Sequence, residues 1–192
     1  MSRFFFFGTI CFFAATLAAG QAAAGDWRPG FDVGRHSDRW ETRAGVADYD
    51  AGPFTSQFGN GPIVNAELFA PSPAILDRIG SPRPYIGADI ATDDTQANIA
   101  YAGLNWQAHL YERVYLGFSA GGAVVDDQFI GDGSGRAKDL GSTVLFHLQA
   151  SAGFDLTRDL SAEVYLNHVS NAGLKDANSG LESAGIRFGY RF

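Results

Sequence analysis

The residues of this chain best suited to chemistry lie near its C-terminus, in LSAEVYLNHVSNAGLKDANSGLESAGIRFGYRF, Leu160 to Phe192. His168 and Ser170 stand two residues apart, and Glu182 follows fourteen residues after His168. A serine hydroxyl is a poor nucleophile until a base takes its proton. An imidazole changes charge near neutral pH and can be that base. A carboxylate on the far ring nitrogen fixes the tautomer and stabilises the imidazolium. Ser170 therefore reads as a candidate nucleophile, His168 as its base and Glu182 as the orienting acid. The oxyanion of an ester or amide cleavage needs donors. The side-chain amide of Asn171 and the backbone N–H of Gly173 are the candidates. The bland alternative is a polar cluster that only marks a strand end, since a lone H-x-S is common by chance.

These residues must be positioned by strands. Side chains alternate across a strand with period two, so Ala162, Val164, Leu166, His168 and Ser170 share one face. Glu182, Ala184, Ile186, Phe188, Tyr190 and Phe192 share one face of the next strand, with Ser183, Gly185, Arg187, Gly189 and Arg191 on the other. Eight such segments follow one another: Glu41–Tyr49, Ile63–Ala70, Pro84–Ala91, Ala97–Leu110, Arg113–Val125, Gly141–Phe154, Leu160–Ser170 and Glu182–Phe192. In most of them the even positions are apolar. Eight is the smallest common count for a closed outer-membrane barrel, in which apolar residues face lipid and polar residues face the lumen. Closure also removes the exposed edges of long amphipathic strands. The expected fold is an all-β, eight-stranded antiparallel transmembrane barrel, and the alternative is a soluble lipocalin-like barrel with an apolar interior. On the membrane reading His168, Ser170 and Glu182 all point outward, near the outer rim. Three such groups do not belong on that face for stability alone.

The chain has 192 residues and a formal net charge of −7, and its mean hydropathy is −0.06. A nucleic-acid partner is excluded by the acidic balance and the absence of a basic run. The start, MSRFFFFGTICFFAATLAAGQAAAG, carries Arg3, an apolar core and Ala22-Ala23-Ala24, the pattern of a signal peptide over residues 1–24. Cys11 falls inside it, so thiol chemistry and Cys metal sites are not expected of the mature chain. Residues 25–40 read as a periplasmic lead-in and 41–192 as the barrel. The long polar connections Asp50–Pro62, Asp126–Leu140 and Asn171–Leu181 would face outside the cell, and the tight ones at Tyr111–Glu112 and Asp155–Asp159 the periplasm. Pro71–Arg83 breaks this rule and suggests an ordered loop with a helical turn. Arg43, Glu67, Asp89, Glu163, Arg187 and Arg191 would pair inside a packed lumen. His36 lies in the lead-in, and His109 and His147 read as hydrogen-bonded lumen residues. The acidic loop around Asp126, Asp127 and Asp132 reads as solvated. Val164, Leu166, Ala184 and Ile186 could line an acyl chain or simply form wall.

His168-Val169-Ser170-Asn171-Ala172, then Asn178, Gly180 and Glu182, then the aromatic C-terminus, resembles the lipid A 3-O-deacylase (PagL) family. The motif covers about the last 25 residues. Asn65-Ala66-Glu67-Leu68 and Ala102-Gly103-Leu104 agree with the family in layout. The resemblance implies an outer-membrane barrel with a Ser-His-Glu site on the outside of its wall: Ser170 as nucleophile, His168 as base, Glu182 as orienter, Asn171 as oxyanion donor. It implies hydrolysis of the ester at position 3 of lipid A, with release of a 3-hydroxy fatty acid and no metal or organic cofactor. Lipid A, within lipopolysaccharide, would be the partner together with outer-membrane lipids, and homodimerisation stays open. A non-catalytic structural or adhesin-like barrel and an acyltransferase barrel are the competing functions. The latter would hold its acyl chain in the lumen.

Overall fold

The computed structural model describes residues 31–54, 61–131 and 137–192, so the expected signal peptide lies outside the described residues. The chain folds into eight long strands: β1 (Glu41–Tyr49), β2 (Pro62–Phe69), β3 (Arg83–Ala91), β4 (Ile99–His109), β5 (Val114–Val125), β6 (Val144–Asp155), β7 (Leu160–Ser170) and β8 (Leu181–Arg191). Each is antiparallel to the next, and β8 returns to pair with β1, from Ser183↔Tyr49 to Arg191↔Glu41. The sheet is therefore a closed ring, as the eight alternating segments require. Strands of 11 or 12 residues measure roughly 36–40 Å along their axis, enough to cross a bilayer when tilted.

The alternation is inverted relative to a soluble protein. On β7 and β8 the directly paired Val164 and Ile186 are each 56 % exposed, while the adjacent pair Glu163 and Arg187 are 4 % and 1 % exposed. Val46, Ile86, Phe118 and Phe146 continue the outer apolar belt around the ring. The lumen is filled by ion pairs. Arg187 bonds Glu67 at 2.7 Å and also Glu163, and Arg43 bonds Glu163 at 3.0 Å and Glu41 at 2.6 Å. Glu41 also receives Arg83 at 2.6 Å and Arg191 at 3.2 Å. Asp89 accepts from the amides of Asn65 and Asn167 instead of an arginine. Removing one partner from such a network would strand a buried charge, at about 3–5 kcal/mol. Tyr115 reaches across the lumen to Glu163 because Gly153 leaves room: a Cβ at Gly153 would overlap the Tyr115 ring.

At the rim carrying the β2–β3, β4–β5 and β6–β7 connections, here the base, residues 32–39 tuck against the ring. Asp32–Val33 forms a short ladder with His109 and Ala108 at the end of β4. Arg35 donates to the Glu112 carbonyl at 2.6 Å, and Arg39 pairs with Asp159 at 2.8 Å. The β2–β3 connection holds a 3₁₀ helix, Ala74–Ile79, after Pro73, in line with its proline spacing. The opposite rim, the mouth, carries the remaining connections, and these interlock. The β5–β6 connection is not merely a solvated loop: Phe129–Gly131 and Ala137–Asp139 pair as a small hairpin. From it, Lys138 reaches across to Asp50 after β1 at 2.5 Å, both side chains buried. The Ser179 N–H of the β7–β8 loop donates to the Asp139 carbonyl at 3.2 Å.

Candidate active site on the outer wall

β7 ends at Ser170, two residues beyond His168, and its pleat turns both to the outer wall. Their neighbours Asn167 and Val169 face inward, 3 % and 2 % exposed. The pairing register sets His168 directly opposite Glu182 on β8. Neighbouring side chains on one face of a ladder stand a few ångströms apart, and here the two make contact: His168 Nδ1 lies 3.3 Å from Glu182 Oε1. With Nδ1 facing the carboxylate, Nε2 is the nitrogen left to exchange a proton. The His168 side chain is 28 % exposed, so substrate can reach it. Ser170 is half-buried on the same face, one step nearer the mouth, opposite Phe146 of β6. Among the described residues no hydrogen bond joins the Ser170 hydroxyl to His168.

Glu182 departs from the sequence expectation in one respect. Parity points it outward, but it does not meet lipid, because it is fully buried. Leu181, Glu182 and Ser183 are all buried, which interrupts the alternation at the start of β8. The cover is the turn after β1. The Phe54 N–H donates to Glu182 Oε2 at 2.9 Å, and Gly52 lies directly against the carboxylate. No pattern in the residues signals this cover, since 128 residues separate Phe54 from Glu182.

The expected oxyanion donors are already engaged by the loop. Asn171 adjoins Ser170 but is buried, and its amide nitrogen donates to the Leu140 carbonyl at 2.8 Å and the Ala177 carbonyl at 2.6 Å. The Gly173 N–H donates to Asn171 Oδ1 at 3.0 Å. Both donors are thus committed to holding the loop in shape. Between them, Ala172 adopts a left-handed conformation (φ 53°), and its N–H has no partner among the described residues. For an alanine this conformation costs about 1–2 kcal/mol. It aims the chain sharply away just beyond Ser170.

A second histidine–carboxylate cluster lies at the base. His109 Nε2 and His36 Nε2 stand 2.9 and 3.4 Å from the same Asp155 oxygen, while Arg191 holds the other oxygen at 2.7 Å. The three ligand-type atoms lie within 4.8 Å of one another. Residue types alone would allow a metal ion there, but the carboxylate is already neutralised by Arg191 and hydrogen-bonded by both rings. His147, as expected, is a lumen residue, bonded to the Tyr85 hydroxyl at 2.7 Å. Two grooves mark the outer wall. One of about 450 Å³ runs below the site over Ala152, Ala162, Val164, Ile186 and Phe188. The other, about 810 Å³, lies on β1–β6 among Thr42, Ala66, Ala88, Ala100 and Ala102, away from His168 and Ser170.

The fold has counterparts among known proteins. The structure is similar to the crystal structure of the outer membrane enzyme PagL, with a TM-score of 0.58 and 16 % sequence identity over 78 % of this chain and 98 % of that one. Neisserial surface protein A matches with a TM-score of 0.47 and 11 % identity, over 85 % of this chain and 99 % of that one. The Yersinia pestis outer membrane protein Ail matches with 0.42 and 14 %, over 81 % and 99 %. No curated protein sequence matches the chain significantly. The family model described as lipid A 3-O-deacylase (PagL) matches residues 24–191, which span every strand and the whole His168–Glu182 motif. On that match, the chain belongs to the lipid A 3-O-deacylase (PagL) family.

Proposed function

We propose that this outer-membrane lipid A deacylase cleaves the carboxylic ester holding the 3-hydroxyacyl chain at position 3 of lipid A, with Ser170, His168 and Glu182 as its catalytic residues. Glu182 holds the imidazole with Nδ1 protonated. Nε2 takes the proton of Ser170 as its oxygen attacks the acyl carbonyl, and the tetrahedral intermediate forms. Collapse releases the sugar hydroxyl, which receives that proton, and leaves an ester on Ser170. Water, activated by the same ring, then frees the 3-hydroxy fatty acid. Side-chain rotation about the ends of β7 brings Oγ and Nε2 together when substrate excludes water, since such contacts are often longer without substrate. The N–H of Ala172, without a partner among the described residues, is the donor we assign to the oxyanion. The roles expected of Asn171 and Gly173 require the loop bonds to open first.

The observation that carries this reading is the 3.3 Å contact between His168 and Glu182 on a lipid-facing wall, with Ser170 beside it on the same face. Lipid A occupies the outer leaflet, so substrate arrives by lateral diffusion, and the groove below the site follows the direction its acyl chains take. Export by a signal peptide cleaved after Ala24 belongs to the same proposal. The test is lipid A mass spectrometry on cells carrying the wild-type chain or Ser170→Ala. Wild type should remove one hydroxyacyl chain and release free 3-hydroxy acid, and Ser170→Ala should leave the acyl complement intact in a folded barrel. Deacylation by Ser170→Ala would refute the assignment. An unchanged lipid A mass with the wild-type chain would leave a non-catalytic barrel, and an added chain would indicate an acyltransferase.

A further inference from the structure

The Glu182 carboxylate has one oxygen toward His168 and the other toward the Phe54 N–H, 2.9 Å away. Gly52 faces the same carboxylate so closely that a Cβ there would stand 2.5 Å from Glu182 Cδ and 2.6 Å from its Cβ. Gly52 is not among the residues with positive φ. Its requirement is therefore space and not backbone freedom. The turn that presents both groups is itself anchored: Asp50, buried and left-handed (φ 52°), is held by Lys138 from the far hairpin of the mouth. Phe54 shows 77 % of its surface to solvent or lipid, so its contribution here is its amide and not its ring.

We propose that the turn Gly52–Phe54 is a positioning element for the triad. The Phe54 N–H and the bare backbone of Gly52 fix the carboxylate of Glu182 against His168 and exclude lipid and water from it. This rests on the Ser170–His168–Glu182 reading. A carboxylate on the lipid side of a barrel would otherwise face hydrocarbon. Covered by main chain and given an amide donor, it sits in a dry site, where its hydrogen bond to the imidazole is stronger. In the described contacts Gly52 and the Phe54 N–H meet Glu182 and neither Ser170 nor His168. Their effect passes through Glu182.

The test measures release of 3-hydroxy fatty acid from purified lipid A in detergent micelles, with folded barrel quantified by its heat-modifiable gel mobility. Gly52→Ala should lower kcat by about 10²-fold, the cost of misplacing a positioned group by about an ångström, and leave KM within about twofold. In a Glu182→Gly background, which removes both the Cβ and the carboxyl group that the new methyl would meet, the same change should cost less than about twofold. Phe54→Pro, which deletes the N–H, should lose far more activity than Phe54→Ala, which keeps it. That pair decides the matter if Gly52→Ala does not fold. Equal losses from Gly52→Ala in both backgrounds, no loss in either, or equal losses from the two Phe54 variants would overturn the proposal. If Ser170→Ala is inactive while these results fail, the turn alone is excluded. If Ser170→Ala is active, the triad reading fails instead.

Discussion

Among the described residues the barrel carries two histidine–carboxylate clusters, one at each rim, and on the proposed function only one of them reacts. At the base, Asp155 is held by His109, His36 and Arg191 together. At the mouth, Glu182 faces one imidazole and one described backbone amide. His109 also has a ring nitrogen without a hydrogen-bond partner among the described residues, Nδ1, but it is sealed inside with no exposure. His168 is partly open to the membrane and has a hydroxyl two residues away. A carboxylate-oriented imidazole is thus not by itself a catalyst. It becomes one when its second nitrogen is reachable and a nucleophile stands on the same face. The base cluster uses similar groups to fasten residues 32–39 to the ring.

Ser170→Ala should separate the two rims most sharply. We expect deacylation to fall by about 10⁴-fold or more, with urea unfolding in detergent unchanged within about 0.5 kcal/mol. Glu182→Gln keeps the shape and the acceptor for Phe54 but can no longer fix the charged imidazole. Its kcat should fall by about 10²–10⁴-fold at equal folded fraction. The base should respond in stability instead. Asp155→Asn leaves Arg191 buried with a weakened partner, and unfolding should show a loss of about 3–5 kcal/mol while activity per folded molecule is retained. His36→Ala removes a 3.4 Å bond from a ring at the edge of the cluster. A loss of about 0.5–1 kcal/mol is expected, again without effect on kcat. Loss of kcat in either base variant at full folding would mean that the two rims are coupled and that the base is more than a fastening.

Much of this is legible in the residues. Apolar residues at even positions mark the strands and their outward face, because lipid imposes one parity on every crossing. The same parity exposes His168 and Ser170 as misfits on that face. The lumen pairs around Arg43, Glu163 and Arg187 follow from it, although alternation does not reveal that Glu41 joins Arg43 to Arg83 and Arg191, or that Asp155 holds Arg191. Glu41, Arg83 and Asp155 sit at strand ends, where a reading by alternation is weakest. Periodicity is blind to contact between loops. The cover over Glu182, the bonds that commit Asn171 and Gly173, and the Lys138–Asp50 pair each join segments with no common pattern. The hairpin of Phe129–Gly131 with Ala137–Asp139 is too short for alternation to register. His36 falls in the lead-in, and nothing in the sequence sets it against Asp155, since a residue outside any strand has no face to assign.

The orienting acid is carried by β8, and the turn that covers it follows β1, the strand against which β8 closes the ring. The two halves of that arrangement come from the first and last hairpins of the chain and meet only when the cylinder is sealed. A polypeptide whose ring is not yet closed therefore lacks the cover over that carboxylate, although Ser170, His168 and Glu182 all lie on the last hairpin. On the proposed reading, sealing the cylinder is also the step that completes the site.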